Sequence, residues 1–260
     1  MKVFVITDLE GPALVSRFAQ TRDYQDEPER KREAMRLLTG EVNAAVDGIL
    51  EACPDAEVVV WDGHGGGGID LMAFHPRAQL IPRGPIQPPY YLDRSFQALF
   101  FVGQHAMAGT PGAPLCHTYS SRRVASYTLN GRPVGEFGAR ALMAGALGVP
   151  TVFVSGDDKM ADEARALVPR IHAAVVKRGL GLELALHLSH AAACALVRQT
   201  ARAAAREAGT IPAPVLPPPY TLNVRVQEGV ALDPYLARGA TAVDERTARF
   251  VSDSLNALPI

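Results

Sequence analysis

The sequence lacks the features that mark membrane, nucleic-acid-binding and disulfide-stabilised proteins. No stretch approaches the ~20 consecutive apolar residues that a membrane-spanning helix needs, and the run Val3–Thr7 is too short for the hydrophobic region of a signal peptide. The three cysteines are odd in number and widely spaced, which argues against a disulfide framework or a zinc ribbon. The 26 Lys and Arg against 27 Asp and Glu give a formal net charge of -1, so no basic field attracts nucleic acid or anionic lipid. We therefore expect a cytoplasmic protein with no nucleic-acid or membrane partner.

The composition is that of an ordinary globular protein. The chain has 260 residues, of which 48% are hydrophobic and 20% charged. A chain of this length can bury a hydrophobic core without disulfide bonds to stabilise it. We expect a single domain over residues 1–260. Its metal-site core lies within about 1–160, and about 161–260 form a peripheral C-terminal part.

Hydrophobic patterning predicts an alternation of strands and helices. Continuous rather than alternating apolar runs indicate strands that are covered on both faces, as in a parallel sheet. These runs are Lys2–Thr7, Glu57–Trp61, Ala98–Val102 and Pro150–Ser155. Apolar residues at intervals of three and four predict an amphipathic helix from Pro28 to Ala52. Further helices are predicted at Phe137–Leu147, Met160–Leu167 and Ser189–Ala208.

The remaining segments predict additions to this sheet. Asn130-Gly131 lies between two short strand-like pieces of the segment Arg123–Val134 and favours an antiparallel hairpin. Pro212–Pro219 has five prolines in eight residues and is a stiff connector. The segment Tyr220–Ile260 begins like a strand and ends like a helix. The predicted fold is α/β, a mostly parallel sheet flanked by helices, with an added β-hairpin and a smaller C-terminal α+β portion.

Metal-binding residue types follow three of the predicted strands. Asp8 and Glu10 follow the first strand, His64 the second and His105 the third, and Glu136 lies at the start of a predicted helix. The carboxyl ends of parallel strands meet at the edge where open α/β sheets bind ligands. Two histidines with three carboxylates suit zinc, manganese or cobalt better than magnesium or calcium. Five ligands exceed what one catalytic zinc takes, so we expect two metal ions, with zinc as the first choice.

Each of these residues also has a structural interpretation. A lone histidine is more often a satisfied structural residue than a ligand, and Glu136 could be an ordinary helix cap. The run Gly63–Gly68 formally fits a dinucleotide-binding fingerprint, but no amphipathic helix follows it. We therefore expect no organic cofactor. Cys116 beside His117 could suggest a thiol nucleophile, although adjacent residues rarely face each other productively.

A second catalytic interpretation uses Asp8 differently. Asp8 on the first strand, together with Gly156-Asp157-Asp158, is similar to the pattern of magnesium-dependent haloacid-dehalogenase-like phosphatases. That scheme leaves His64 and His105 without a role. Asp157 and Asp158 also fit a turn that leads into a helix N-cap.

Five motifs in order resemble those of the M55 family of D-aminopeptidases, nearly from end to end. They are ITDLEG, WDGHG, FVGQHAMAGTPG, NGRPVGEFG and VSGDD. The resemblance implies two zinc ions bound by Asp8, Glu10, His64, His105 and Glu136. It also implies a catalytic histidine at His117, a preference for D-residues and a ring-shaped, decameric homo-oligomer.

These observations favour a zinc-dependent aminopeptidase that removes an N-terminal D-amino acid from short peptides through a metal-activated water. Two alternatives stay open from the sequence. One is the magnesium phosphatase that uses Asp8, and the other is a metal-stabilised assembly without catalytic activity.

Overall fold

The structure is a computed structural model that describes residues 1–23, 28–84 and 86–260. The described residues form two β-sheets and the helices that pack on them. The strands are β1 (Lys2–Thr7), β2 (Glu57–Asp62), β3 (Gln79–Ile81), β4 (Ala98–Gln104), β5 (Val124–Leu129), β6 (Arg132–Pro133), β7 (Thr151–Asp157), β8 (His172–Gly181), β9 (Leu184–His187), β10 (Tyr220–Val226), β11 (Thr241–Asp244) and β12 (Thr247–Ser252). The α-helices are α1 (Pro28–Ala52), α2 (Glu136–Ala146), α3 (Asp158–Leu167), α4 (His190–Glu207) and α5 (Asp233–Leu236).

The larger sheet has seven strands in the order β3-β2-β1-β4-β7-β8-β9. All neighbouring pairs are parallel except β8 with β9, which is antiparallel. The four strands predicted from apolar runs are β1, β2, β4 and β7, and β4 and β7 are buried along their whole length. The mixed α/β fold with a mostly parallel sheet is therefore confirmed. Strands β8 and β9 were not predicted.

The helices begin and end close to their predicted positions because local patterning and capping specify them. Helix α1 has the predicted bounds and packs against α4. The Ser189 side chain accepts a hydrogen bond from the Ala192 amide and caps α4, as expected for serine at an N-cap. Among the described residues, no helix combines the length and apolar character needed to cross a bilayer.

Two predictions about the added elements were wrong. The turn at Asn130 and Gly131 is present, with φ angles of 48° and 79°, but its hairpin does not join the parallel sheet. It belongs to a separate antiparallel sheet in the order β11-β12-β10-β5-β6. The C-terminal segment ends in strand β12 followed by a short 3₁₀ turn at Leu255–Ala257, not in an α-helix. Burial alternates there, with Phe250 buried and Val251 exposed, which is the period of a strand paired along one face.

Helix α2 connects the cores of the two sheets. Phe137 belongs to the core of the larger sheet and lies 4.8 Å from Phe101, centroid to centroid. Ala139 and Met143 belong to the second buried cluster, under the antiparallel sheet. Glu136, the first residue of α2, is therefore fixed at the junction of the two cores. The expectation of a single domain stays a prediction.

Candidate metal centre

The candidate ligands converge at the carboxyl ends of three adjacent strands. Asp8 and Glu10 follow β1, His64 follows β2 and His105 follows β4, and β1 is hydrogen-bonded to both β2 and β4. Parallel strands place these ends at one edge of the sheet. Glu136 reaches the same place from the start of α2. The structure thus brings together all five residues predicted from the sequence.

The side chains form two groups, each able to hold a metal ion. The potential ligand atoms of Asp8, Glu10 and His64 lie within 4.8 Å of one another, and so do those of His105, His117 and Glu136. Asp8 connects the groups, since its Oδ2 lies 3.4 Å from His105 Nε2. His117, which the sequence analysis assigned to catalysis, therefore lies among the potential metal ligands.

The histidine rings are held in orientations that suit metal binding. Nδ1 of His105 lies 2.9 Å from the Ala106 carbonyl oxygen, and Nδ1 of His117 lies 2.8 Å from that of Leu115. A ring whose Nδ1–H donates to a carbonyl presents an unprotonated Nε2, which is the arrangement found in metal sites. The buried atoms His105 Nε2 and Glu10 Oε2 lack a hydrogen-bond partner within the described part of the chain. Buried unpaired acceptors are rare, and a bound cation would satisfy both.

The electrostatics of the site also favour a cation. Burial raises the pKa of Asp8, and the nearby Glu10 carboxylate raises it further. Burial also acts to raise the pKa of Glu10, but the His64 imidazole, 3.4 Å away, outweighs it and holds this pKa well below its usual range. In the same pair, burial lowers the pKa of His64, while Glu10 outweighs it and brings the pKa to about 9. The Asp8 and Glu10 carboxylates thus need a positive partner, and a metal ion would take the place of the His64 proton in that role.

The loop that carries Asp8 and Glu10 lies directly against β4. The Asp8 amide donates to the Val102 carbonyl at 3.0 Å, and the Gly11 amide donates to the Gly103 carbonyl. Gly103 has a φ of 76°, and a β-carbon there would overlap the main-chain oxygen of Asp8. Only glycine fits such a close approach without strain. The conformation of Gly103 therefore sets the position of the loop that carries Asp8 and Glu10.

Lys177 of β8 holds the same loop from the other side. Its Nζ donates to the main-chain oxygens of Glu10, Pro12 and Val15. Burial lowers its pKa to about 8, against the opposing effect of the Asp157 carboxylate. Lys177 was not predicted as part of the site, although a lysine within the apolar run of β8 was a signal for it, since a buried lysine needs partners.

Tyr119 and Arg140, neither of which was predicted from the sequence, fix Glu136. The Tyr119 amide donates to Glu136 Oε1 at 2.8 Å, and Arg140 Nη1 lies 3.5 Å from Glu136 Oε2. Arg140 is four residues from Glu136 on α2, a spacing that places both on one face and could have indicated the pair. The His105 imidazole and Arg140 together outweigh burial and lower the pKa of Glu136 to about 2.

A cavity of about 600 Å³ opens onto both groups of potential ligands. Its walls include Phe18, Arg22, His117, Tyr119 and Arg140. A volume of this size accommodates a short peptide or another small molecule.

The alternative sites have structural roles. The Asp157 side chain accepts from the Lys159 and Met160 amides as the N-cap of α3, and the Asp158 side chain accepts from the Gly179 amide. Neither belongs to the metal-binding groups of the described residues, and nothing favours the phosphatase. No helix begins directly after Gly68, so the glycine run lacks the helix N-terminus on which a dinucleotide fingerprint depends.

Comparisons with known proteins agree with this geometry. Residues 1–258 match the family model of peptidase M55, described as D-aminopeptidase. A D-aminopeptidase of Bacillus subtilis strain 168 is 34% identical over 205 residues, which cover 76% of this chain and 72% of that protein. A solved structure described as Zn-dependent D-aminopeptidase DppA from Bacillus subtilis, a self-compartmentalizing protease, superposes with a TM-score of 0.90 at 26% identity. It covers 99% of this chain and 93% of its own. The chain is therefore a member of the peptidase M55 family of D-aminopeptidases.

Proposed function

We propose that this chain is a zinc-dependent aminopeptidase that removes an N-terminal D-amino acid from short peptides. The observation that carries the proposal is the pair of adjoining histidine and carboxylate groups at the carboxyl end of a parallel sheet, open to a cavity of peptide size. The zinc dependence and the D-aminopeptidase activity of the structural relative support it.

The residues present fit two zinc ions. Asp8, Glu10 and His64 would hold one ion, and His105 and Glu136 would hold the other. Asp8 Oδ2 also lies 3.4 Å from His105 Nε2, so this carboxylate adjoins both groups. When bound, a zinc pair supplies a Lewis acid for the scissile carbonyl and lowers the pKa of water to about 7.

His117 is proposed to carry a proton to the leaving amine. Its Nδ1 is engaged with the Leu115 carbonyl, so Nε2 is the nitrogen free to exchange a proton. Nε2 lies 3.8 Å from Glu136 Oε1, and the ring stacks on His105 with centroids 4.0 Å apart. His117 thus lines the cavity at the junction of the metal groups, and proton transfer from such a position typically contributes 10²–10⁴-fold to a rate.

The first test is the metal content and activity of the purified protein. We expect about two zinc ions per chain by elemental mass spectrometry, because the donors form two groups. We also expect hydrolysis of D-Ala p-nitroanilide that chelation abolishes and that exceeds hydrolysis of the L-isomer. Magnesium dependence without zinc would instead favour the phosphatase. Bound zinc without turnover of any peptide would favour a metal-stabilised assembly.

The protein is further proposed to work in the cytoplasm as a ring-shaped, decameric homo-oligomer. Its three cysteines are free thiols, as expected in a reducing compartment, and the structural relative is described as self-compartmentalizing. Strand β9 forms the outer edge of the larger sheet. Leu184 and Leu186 of β9 lie on one face of that strand and are 58% and 65% exposed. Proteins usually cover an exposed, apolar strand edge of this kind, and a second copy of the chain would cover it in the oligomer.

The double substitution Leu184→Lys with Leu186→Lys is expected to break the oligomer, because charges would have to be buried in the contact. Light scattering coupled to size exclusion would show the mass falling toward the 27.8 kDa of one chain. Leu71→Lys is the matched control, since Leu71 is also 65% exposed but lies outside this edge, and it should keep the wild-type mass. An unchanged mass for the double variant would place the interface elsewhere.

A further inference from the structure

Arg140 is a buried cation with unpaired hydrogen-bond donors in the described part of the chain. Its guanidinium carbon lies 5.1 Å, 5.8 Å and 5.4 Å from the ring centroids of Trp61, Tyr90 and Tyr119. Its Nε and Nη1 are buried and lack a hydrogen-bond partner among the residues that the structure describes. A guanidinium has five N–H donors, and buried donors are normally paired. The aromatic rings stabilise the charge but provide no acceptor in the guanidinium plane.

Tyr119 adds an unpaired donor beside this cation. Its hydroxyl is buried and also without a hydrogen-bond partner in the described parts of the chain, while its amide is fixed to Glu136. Three donor atoms of two neighbouring side chains therefore lack acceptors next to the candidate metal centre. A planar carboxylate complements such a set, because its two oxygens match the fork of a guanidinium.

Both side chains can be reached from the cavity over the metal centre. Arg140 and Tyr119 line this cavity together with Asp8, His64 and Glu136. They also line a second cavity of about 430 Å³, so they form a wall between the two. The unpaired nitrogens are covered, and the guanidinium must turn toward the cavity to meet a ligand. Such a turn breaks no hydrogen bond found for these nitrogens, but it lengthens the 3.5 Å ion pair between Nη1 and Glu136 Oε2.

We propose that Arg140, assisted by Tyr119, binds a carboxylate on the leaving side of the scissile bond and so selects the substrate. In a dipeptide the free carboxylate lies about one residue, ~3.8 Å, beyond that bond. Arg140 Nη1 lies 3.5 Å from Glu136, so the Arg140 guanidinium lies about one residue's length from the candidate metal centre. The same contact would accept the side-chain carboxylate of an acidic residue at that position. This inference rests on the proposed aminopeptidase activity and specifies the class of substrate, peptides with a carboxylate on the leaving side.

The test compares substrates that differ only in this charge. We expect kcat/KM of the wild type to be about 10- to 100-fold higher for D-Ala-D-Ala than for D-Ala-D-alaninamide, as for a charge-assisted hydrogen bond. Arg140→Gln should remove this preference, mainly through a higher KM for the free acid, with zinc per chain unchanged. Tyr119→Phe, which removes only the hydroxyl, should reduce the preference several-fold. Arg206→Gln, at an exposed arginine of α4 that lines neither cavity, is the matched control and should keep the preference.

A different pattern would overturn the proposal. If Arg140→Gln lowers activity equally on acid and amide, or releases zinc, Arg140 acts only by fixing Glu136. D-alanyl-D-aspartamide, whose sole carboxylate is in the side chain, identifies the source of the carboxylate if it is preferred over the dipeptide. If the wild type cleaves no peptide, the proposed activity fails. Calorimetric titration with D-Ala-D-Ala and its amide then decides the carboxylate site alone, and equal binding would refute it.

Discussion

His105→Ala is expected to strip the protein of zinc and lower kcat/KM on the order of 10³-fold or more. The His105 imidazole Nε2 lies 3.4 Å from both Asp8 Oδ2 and Glu136 Oε1. It therefore adjoins carboxylates of both groups, and its loss removes the imidazole partner of buried Asp8 and the nearer of the two imidazoles beside buried Glu136. Elemental mass spectrometry of the variant, alongside hydrolysis of D-Ala p-nitroanilide, measures both effects. His64→Ala should lower zinc content in the same way, because His64 is the imidazole nearest to Glu10.

His117→Ala provides the contrast that separates a proton carrier from a ligand. Its zinc content should stay near that of the wild type, while kcat falls by about 10²–10⁴-fold. Loss of zinc from this variant would make His117 a third ligand of the second group, which its position allows. Unchanged zinc in both His64→Ala and His105→Ala would end the zinc-peptidase proposal altogether.

Gly103→Ala is expected to cause a large loss of stability near the site. The new β-carbon would overlap the main-chain oxygen of Asp8, and the backbone has a positive φ. We expect the free energy of unfolding to fall by about 2–5 kcal/mol, from overpacking together with the left-handed conformation. Displacement of the Asp8 loop should also weaken zinc binding. Denaturant unfolding and zinc titration of the purified variant measure the two effects.

Gly109→Ala is the matched control for this prediction. Gly109 also has a positive φ, 81°, but nothing lies within 4 Å of its would-be β-carbon. It should lose only about 1–2 kcal/mol, the contribution of the backbone conformation alone. Equal losses of unfolding free energy in the two variants would show that the close approach of Gly103 to the Asp8 loop does not contribute to the cost of the substitution.

Local patterning in the sequence specified the elements and the edge at which the candidate ligands meet. Strands such as β1 and β4 are continuous apolar runs because both of their faces are covered. Asn130-Gly131 specified a hairpin because these residues accept positive φ at little cost. The convergence of Asp8, Glu10, His64 and His105 followed from the rule that parallel strands end at one edge. Their roles as ligands stay predictions until the histidine variants are measured.

Tertiary structure decided what depends on contacts between distant segments. The hairpin joined a second sheet and the C-terminal segment formed strand β12, because both pair with β10. Local sequence pattern does not specify the strand with which a segment pairs. Lys177 donates hydrogen bonds to the loop that follows Asp8, although more than 160 residues separate them in the sequence. Arg140 lies among aromatic rings from three other segments, so neither its burial nor its unpaired nitrogens could be read from its neighbours in sequence. Sequence alone determined which residues have metal-binding chemistry, and packing alone decided which cations and loops surround them.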